Sequence, residues 1–376
     1  MDEEQNLDDR FIDLFTTLIN ENAGWLSFAQ FMHHVLYEPK IGYYSGGRQK
    51  FGHGGDFITA PELSPLFGRC LARQVGEVLS KTQDDVLELG AGSGRLACDV
   101  LRELERIGDL PRNYFILEPS PELTSRQKET LMVLDPDVRN RVSWIGELPK
   151  NFTGVMVANE VFDALPVHLM VKSETGWMER GVTISGGQLT WSDRLFSDHR
   201  LTKAVDQLDV PAPYLTELCV ASDGLVRDLA ESLSQGCIFV IDYGYEQLSY
   251  YHPERSSGTL ACHHQHQTDG NPLTLLGQKD ITAHVNFTRL GSVAIDHGLD
   301  VSGYASQADF LVNCGITKFL EELDPESVET YLPVVSSVQK LLSPEIMGDI
   351  FKVMCLSRDI ENPLMGFRHG DRRHRL

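Results

Sequence analysis

The sequence predicts an α/β protein organised around a mostly parallel sheet, and three observations predict it. Residues 86–89 are a short apolar run that reads as a buried strand, followed by Gly90-x-Gly92-x-Gly94 and a helical stretch opening at Arg95. Glycines at those points let the backbone turn sharply and come close to a ligand. A second apolar run, Tyr114 to Leu117, ends in Glu118, which sets a carboxylate at the C-terminal tip of the next strand. An alternating strand at 142–145 follows a helical stretch, and apolar runs come at 154–158 and, after another helical stretch, at 237–245.

The glycine spacing departs from the dinucleotide fingerprint, which wants its third glycine at position 95, where Arg95 stands, so NAD is disfavoured. Glu88, two residues before Gly90, gives a pattern that resembles motif I of the S-adenosylmethionine (SAM) methyltransferases. Their ligand lacks a pyrophosphate and carries an amino acid moiety and a sulfonium. Glu118 stands where Rossmann-like sheets hold ribose, because one carboxylate can accept from both hydroxyls. The plainer reading of Glu118 is a solvated strand-end residue.

At 376 residues, with 41% apolar and 23% charged residues, the composition is that of a soluble globular protein. A net charge of −21 opposes binding to nucleic-acid phosphates and gives no polybasic case for membrane attachment. No apolar run approaches membrane-spanning length, and the acidic start Met1-Asp2-Glu3-Glu4 has neither a signal core nor a presequence pattern. The seven cysteines form no Cys-x-x-Cys pair and suggest a reducing compartment, so the chain reads as cytoplasmic.

In chain order, Phe11, Leu14, Phe15, Leu18 and Ile19 recur at helical spacing, and Ser27 caps a second helix carrying Phe28, Phe31, Met32, Val35 and Leu36. The segment 54–64 holds two glycines, Asp56 and Thr59 before a helix at 65–79, and reads as a loop that closes over a small polar ligand. After Glu118 come a helix at 121–134, the strand Val142–Ile145 and the turn Gly146-Glu147-Leu148-Pro149. Glu147 or Leu148 stands where methyltransferases edge the adenine, with a plain turn as the alternative. The fourth strand delivers Asn159, Glu160 and Asp163 to the crevice outside the strand ends, where open α/β sheets bind ligands. Residues 167–191 alternate with period two and read as an inserted antiparallel meander. Residues 246–279 lack periodicity and read as one long loop holding Cys262, His263, His264 and His266. That cluster invites zinc, yet no second group has ligand spacing, so no metal is expected. The basic run 368–375 reads as a loose tail.

The motifs Leu36-Tyr37-x-Pro39-x-x-Gly42-Tyr43-Tyr44 and Gly55-Asp56-Phe57-Ile58-Thr59-x-Pro61-Glu62, followed by the Gly90 turn, resemble the MidA family. These are the bacterial relatives of the mitochondrial complex I assembly-factor methyltransferase. The likeness runs from about Trp25 to Ser357 and includes Asp242-Tyr243-Gly244 after the fifth strand. It implies a Rossmann-like SAM methyltransferase core with a mostly parallel seven-stranded sheet, an N-terminal helical cap and an inserted β-meander and helical subdomain. The expected divisions are a cap with its covering loop (1–80), the SAM-binding core (81–166 and 236–358), a substrate-facing insertion (167–235) and a basic tail (359–376). The family segment usually has aspartate where His284 and Asn286 stand here, so if those acids serve substrate charge this chain is altered there.

The implied activity is SAM-dependent methylation of a protein arginine, with a complex I subunit as the family's acceptor. Arginine demands acids aimed at the methyl group. Glu160 and Asp163 are the candidate catalytic pair; the plainer reading is that both cap a helix starting near Phe162. Candidate SAM contacts are Asp56, Thr59, Glu88, Gly90, Gly92, Gly94, Glu118, Glu147, Leu148 and Asn159. Two other classes stay open: a small-molecule methyltransferase, and a SAM-binding assembly protein without turnover. A homodimer is allowed but not specified.

Overall fold

The structure is a computed structural model in which residues 2–46, 59–196, 198–265, 267–361 and 363–376 are described. The chain divides into two compact units. One comprises Met1–Phe57, Asp163–Gly224 and Gln247–His284; the other comprises Ile58–Phe162, Leu225–Glu246 and Val285–Leu376.

The second unit carries the parallel sheet. Its strands are β1 (Asp85–Leu89), β2 (Tyr114–Leu117), β3 (Val142–Ile145), β4 (Phe152–Asn159), β5 (Leu233–Tyr245), β6 (Asp300–Ser306) and β7 (Phe351–Arg358). They lie in the order β6-β7-β5-β4-β1-β2-β3, and a two-residue strand, Val285–Asn286, joins the end of β5. Strands β1 to β5 run parallel, while β7 is antiparallel to both β5 and β6. This is the Rossmann-like core that the apolar runs and glycine turn predict. The chain leaves β1 toward β2 and β3 and then returns to the other flank of β1 as β4. The order therefore reverses between β1 and β4, where Leu89 lies beside Ala158. Ligands bind outside the strand ends at such a reversal.

The sheet is buried by its helices. In Arg95–Ile107, Leu96, Ala97, Val100, Leu101 and Leu104 make one apolar stripe at helical spacing, packed in one core with Val86, Val155, Phe239 and Val353. Glycines in the left-handed region bound that helix at both ends, Gly94 at φ +82° and Gly108 at φ +84°. The C-terminal segment is not a loose tail. Leu364 and Phe367 are buried in this core, and Arg372 pairs with Asp309 at 3.2 Å and Asp349 at 2.5 Å.

The first unit begins with helices Asp2–Glu21 and Phe28–Tyr37; Ser27 and Gln30 form the capping box of the second. The meander is present as His168–Ser173, Gly176–Ser185 and Gln188–Arg194, extended by Leu26–Ser27 and Tyr214–Leu218 into a five-stranded antiparallel sheet. Residues 246–279 are not one loop. Ala261–His264 pairs with Gln267–Asp269 and with Asp280–Thr282 in a three-stranded sheet. Cys262 is turned into the apolar core, His263 Nδ1 meets Thr268 Oγ1 at 3.1 Å and His264 Nδ1 meets the Gln278 carbonyl at 3.0 Å. Among the described residues no group of three His, Cys, Asp or Glu could hold a metal ion; His266 lies outside them.

Candidate active site

The turn after β1 is made possible by three glycines in the left-handed region, Gly90 (φ +59°), Gly92 (φ +53°) and Gly94 (φ +82°). Gly90 N–H donates to the Leu117 carbonyl at 3.0 Å and ties the turn to β2. A Cβ on Gly94 would stand 3.0 Å from Gln127 Cα. Gln127 is fully buried and braces three parts of the site. Its Nε2 donates to the Gly92 carbonyl at 3.1 Å and to Glu118 Oε2 at 3.0 Å, while its Oε1 accepts from Trp144 Nε1 of β3 at 2.8 Å. Glu118 also accepts from Ser120 N–H at 2.9 Å, so the carboxylate at the tip of β2 is held from two sides. Sequence reasoning missed Gln127, since nothing in a polar helical stretch marks it as inward-facing. On the far side of the turn, the Ser93 hydroxyl donates to Glu62.

Glu88 lies inside β1 at 2% exposure and accepts from Tyr114 Oη at 2.6 Å. Burial pushes its carboxyl up to about 7, the Tyr114 hydrogen bond working against this and the charge of Glu118 adding to it. Thr59 is the N-cap of the short helix Ala60–Leu63 but makes no side-chain cap bond. Asp56 lies outside the described residues. Glu147 and Leu148 follow β3 in a bend, the first exposed and the second half-buried.

Asn159 ends β4. Its Nδ2 donates to Glu160 Oε1 at 3.2 Å, and its Oδ1 is buried with no hydrogen-bond partner among the described residues. Glu160 has φ +53°, a costly conformation for a residue with a side chain. Flanking bonds hold it: Glu160 N–H donates to the Ile241 carbonyl at 2.9 Å, and Phe162 N–H donates to Asp242 Oδ2 at 3.0 Å. No helix starts at Phe162. Residues 162–165 form bends and turns, so the helix-capping reading of Glu160 and Asp163 falls. Asp163 is buried, and its carbonyl accepts from Ala283 N–H at 3.0 Å. His284 and Asn286 have backbone-organising partners: His284 N–H donates to Thr259 Oγ1 at 3.1 Å, and Asn286 caps the helix Phe287–Asp296 by accepting from Arg289 N–H at 3.1 Å.

A family model described as "Putative S-adenosyl-L-methionine-dependent methyltransferase" matches residues 70–305. The chain belongs to this methyltransferase family. The protein arginine methyltransferase NDUFAF7, mitochondrial, of Danio rerio is 30% identical over 88% of this chain and 83% of its own length. The Homo sapiens protein of the same name is 29% identical over 89% and 81%. A crystal structure of a Burkholderia thailandensis protein bound to S-adenosyl-homocysteine superposes with a TM-score of 0.96 at 42% identity, covering 100% of this chain and 98% of that one.

This methyltransferase is SAM-dependent, and its residues fit the ligand. The glycine turn offers bare backbone at the reversal point, and the buried Asn159 Oδ1 is an acceptor awaiting an N–H or O–H donor. Gly90, Gly92, Gly94 and Glu118 are the residues that would hold it, with Gln127 bracing Gly92 and Glu118.

Proposed function

We propose that this SAM-dependent methyltransferase methylates arginine on a protein. The observation that carries the reading is Glu160, held by flanking backbone bonds in a left-handed conformation at the tip of β4, directly beside the strand that bears the glycine turn. The relatives named as protein arginine methyltransferases support it. A guanidinium is charged at all working pH values and binds carboxylates in its own plane, so an acid fixed at this point orients it and takes up the proton released as the nitrogen gains its methyl group. When bound, SAM supplies a methyl group activated by its sulfonium. Asn159 Nδ2 steadies the Glu160 carboxylate, and Asp242 ties the following turn to the end of β5 through the Phe162 N–H.

The acceptor to try first is a subunit of respiratory complex I, which the motif resemblance implies. Among the described residues no disulfide joins any of the seven cysteines, which supports work in a reducing compartment such as the cytoplasm. The test is incubation with methyl-labelled SAM and a lysate, followed by identification of the labelled band and residue. Label on an arginine guanidino nitrogen is the expected result; label on any other residue type or on a small molecule overturns the reading.

A further inference from the structure

In the first unit, Gln278 and Thr282 are each only 2% exposed. Neither the Gln278 amide, at Nε2 or Oε1, nor the Thr282 hydroxyl has a hydrogen-bond partner among the described residues. Native interiors leave few such groups dry, and each asks for an explanation. The strand Asp280–Thr282 turns Ile281 into the apolar core, so alternation sets Asp280 and Thr282 together on the other face. Two tyrosines place a second acid beside them. Tyr44 Oη donates to Asp280 Oδ1 at 2.9 Å. Tyr37 stacks on Tyr44 with ring centroids 5.5 Å apart and donates to the Ala164 carbonyl at 2.9 Å. The Ala283 N–H bond to the Asp163 carbonyl, 3.0 Å, closes the ring of contacts. The Tyr44 hydroxyl is pushed well above its usual range, by burial first, then by the charge of Asp280, with Asp163 contributing as well. Both carboxylates therefore lie near one hydroxyl.

We infer that Asp163, Asp280 and Thr282 form the floor of a binding site for the guanidinium of an arginine side chain, with Gln278 completing its hydrogen bonds. The inference rests on the arginine reading and adds the residues that select the acceptor. A guanidinium presents five N–H donors in one plane, and two carboxylates, a hydroxyl and an amide carbonyl are acceptors that match it. An ammonium has three donors on a single point and leaves more of this set unsatisfied. Asp163 lies three residues after Glu160 in the chain.

The test uses the full chain saturated with S-adenosyl-homocysteine, and titrates N-acetyl-L-arginine methylamide and its lysine counterpart by NMR. The arginine amide should bind, with the lysine amide at least about tenfold weaker. Asp280→Asn should weaken the arginine amide by at least about tenfold while leaving S-adenosyl-homocysteine affinity unchanged. Thr282→Val covers the case in which the first variant fails to fold. It replaces an unsatisfied buried hydroxyl with a methyl group, so it should fold at least as stably as the wild type and still bind the arginine amide more weakly. Wild-type affinity for the arginine amide in a folded Asp280→Asn protein, or in Thr282→Val, overturns the inference. Label on arginine with an unchanged KM in these variants would overturn this site and leave the arginine reading standing. Label on another residue type, with arginine amide binding still dependent on Asp280, would overturn the reading and leave the site.

Discussion

Asp242 Oδ2 accepts the backbone N–H of Phe162 at 3.0 Å, joining the end of β5 to the turn that carries Glu160. Its other oxygen accepts Tyr243 N–H at 2.9 Å, and the side chain is fully buried. Asp242→Ala leaves both N–H groups without these acceptors and loosens the strained Glu160. A charge-assisted bond is worth about 1.5–3 kcal/mol, so turnover should fall at least about tenfold. S-adenosyl-homocysteine affinity, read by calorimetry, should change far less, because the glycine turn is on another strand. Wild-type turnover in the variant would remove Asp242 from the account.

Gln127 predicts the opposite split. Gln127→Ala removes the bonds to the Gly92 carbonyl, Glu118 and Trp144 at once. Calorimetry should show S-adenosyl-homocysteine binding weakened by about tenfold or more, about 1.4 kcal/mol, as the glycine turn and the β2 carboxylate lose their common brace. Unchanged affinity would mean that the backbone alone fixes the turn.

Glu88 gives a pH dependence of stability. Its folded carboxyl titrates at about 7 against an ordinary value of 4.5, so the folded state holds a proton that the unfolded chain gives up earlier. The contribution is fully present below about pH 4.5 and is lost as pH rises through about 7, up to a limit on the order of 3 kcal/mol. Glu88→Gln keeps an acceptor for Tyr114 and cannot ionise. In urea unfolding it should match the wild type near pH 4.5 and exceed it at pH 8. Parallel pH profiles would show that Glu88 does not titrate in this range.

The sheet and the glycine turn were legible because short apolar runs and glycine spacing are local signals, and β1 to β5 each carry one. What escaped is made by partners distant in sequence. Residues 261–264 look irregular until Asp280–Thr282 pairs with them. The turn after β4 gives no local sign of its shape: residues 162–165 form bends and turns, and the Phe162 N–H is taken by Asp242, 80 residues on. The basic C-terminal run looks solvated until Arg372 meets Asp309 and Asp349 and Phe367 enters the core. Gln127 acts through one inward-turned side chain, which no periodicity reports.

The most direct test of the central claim compares methyl transfer from labelled SAM by the wild type and by Glu160→Gln on one protein acceptor, with S-adenosyl-homocysteine affinity measured on both. If Glu160 orients the acceptor guanidinium, affinity is retained and turnover falls by well over tenfold, since one lost charge-assisted contact costs about 1.5–3 kcal/mol. Equal loss of affinity and turnover, or full activity in the variant, would contradict it.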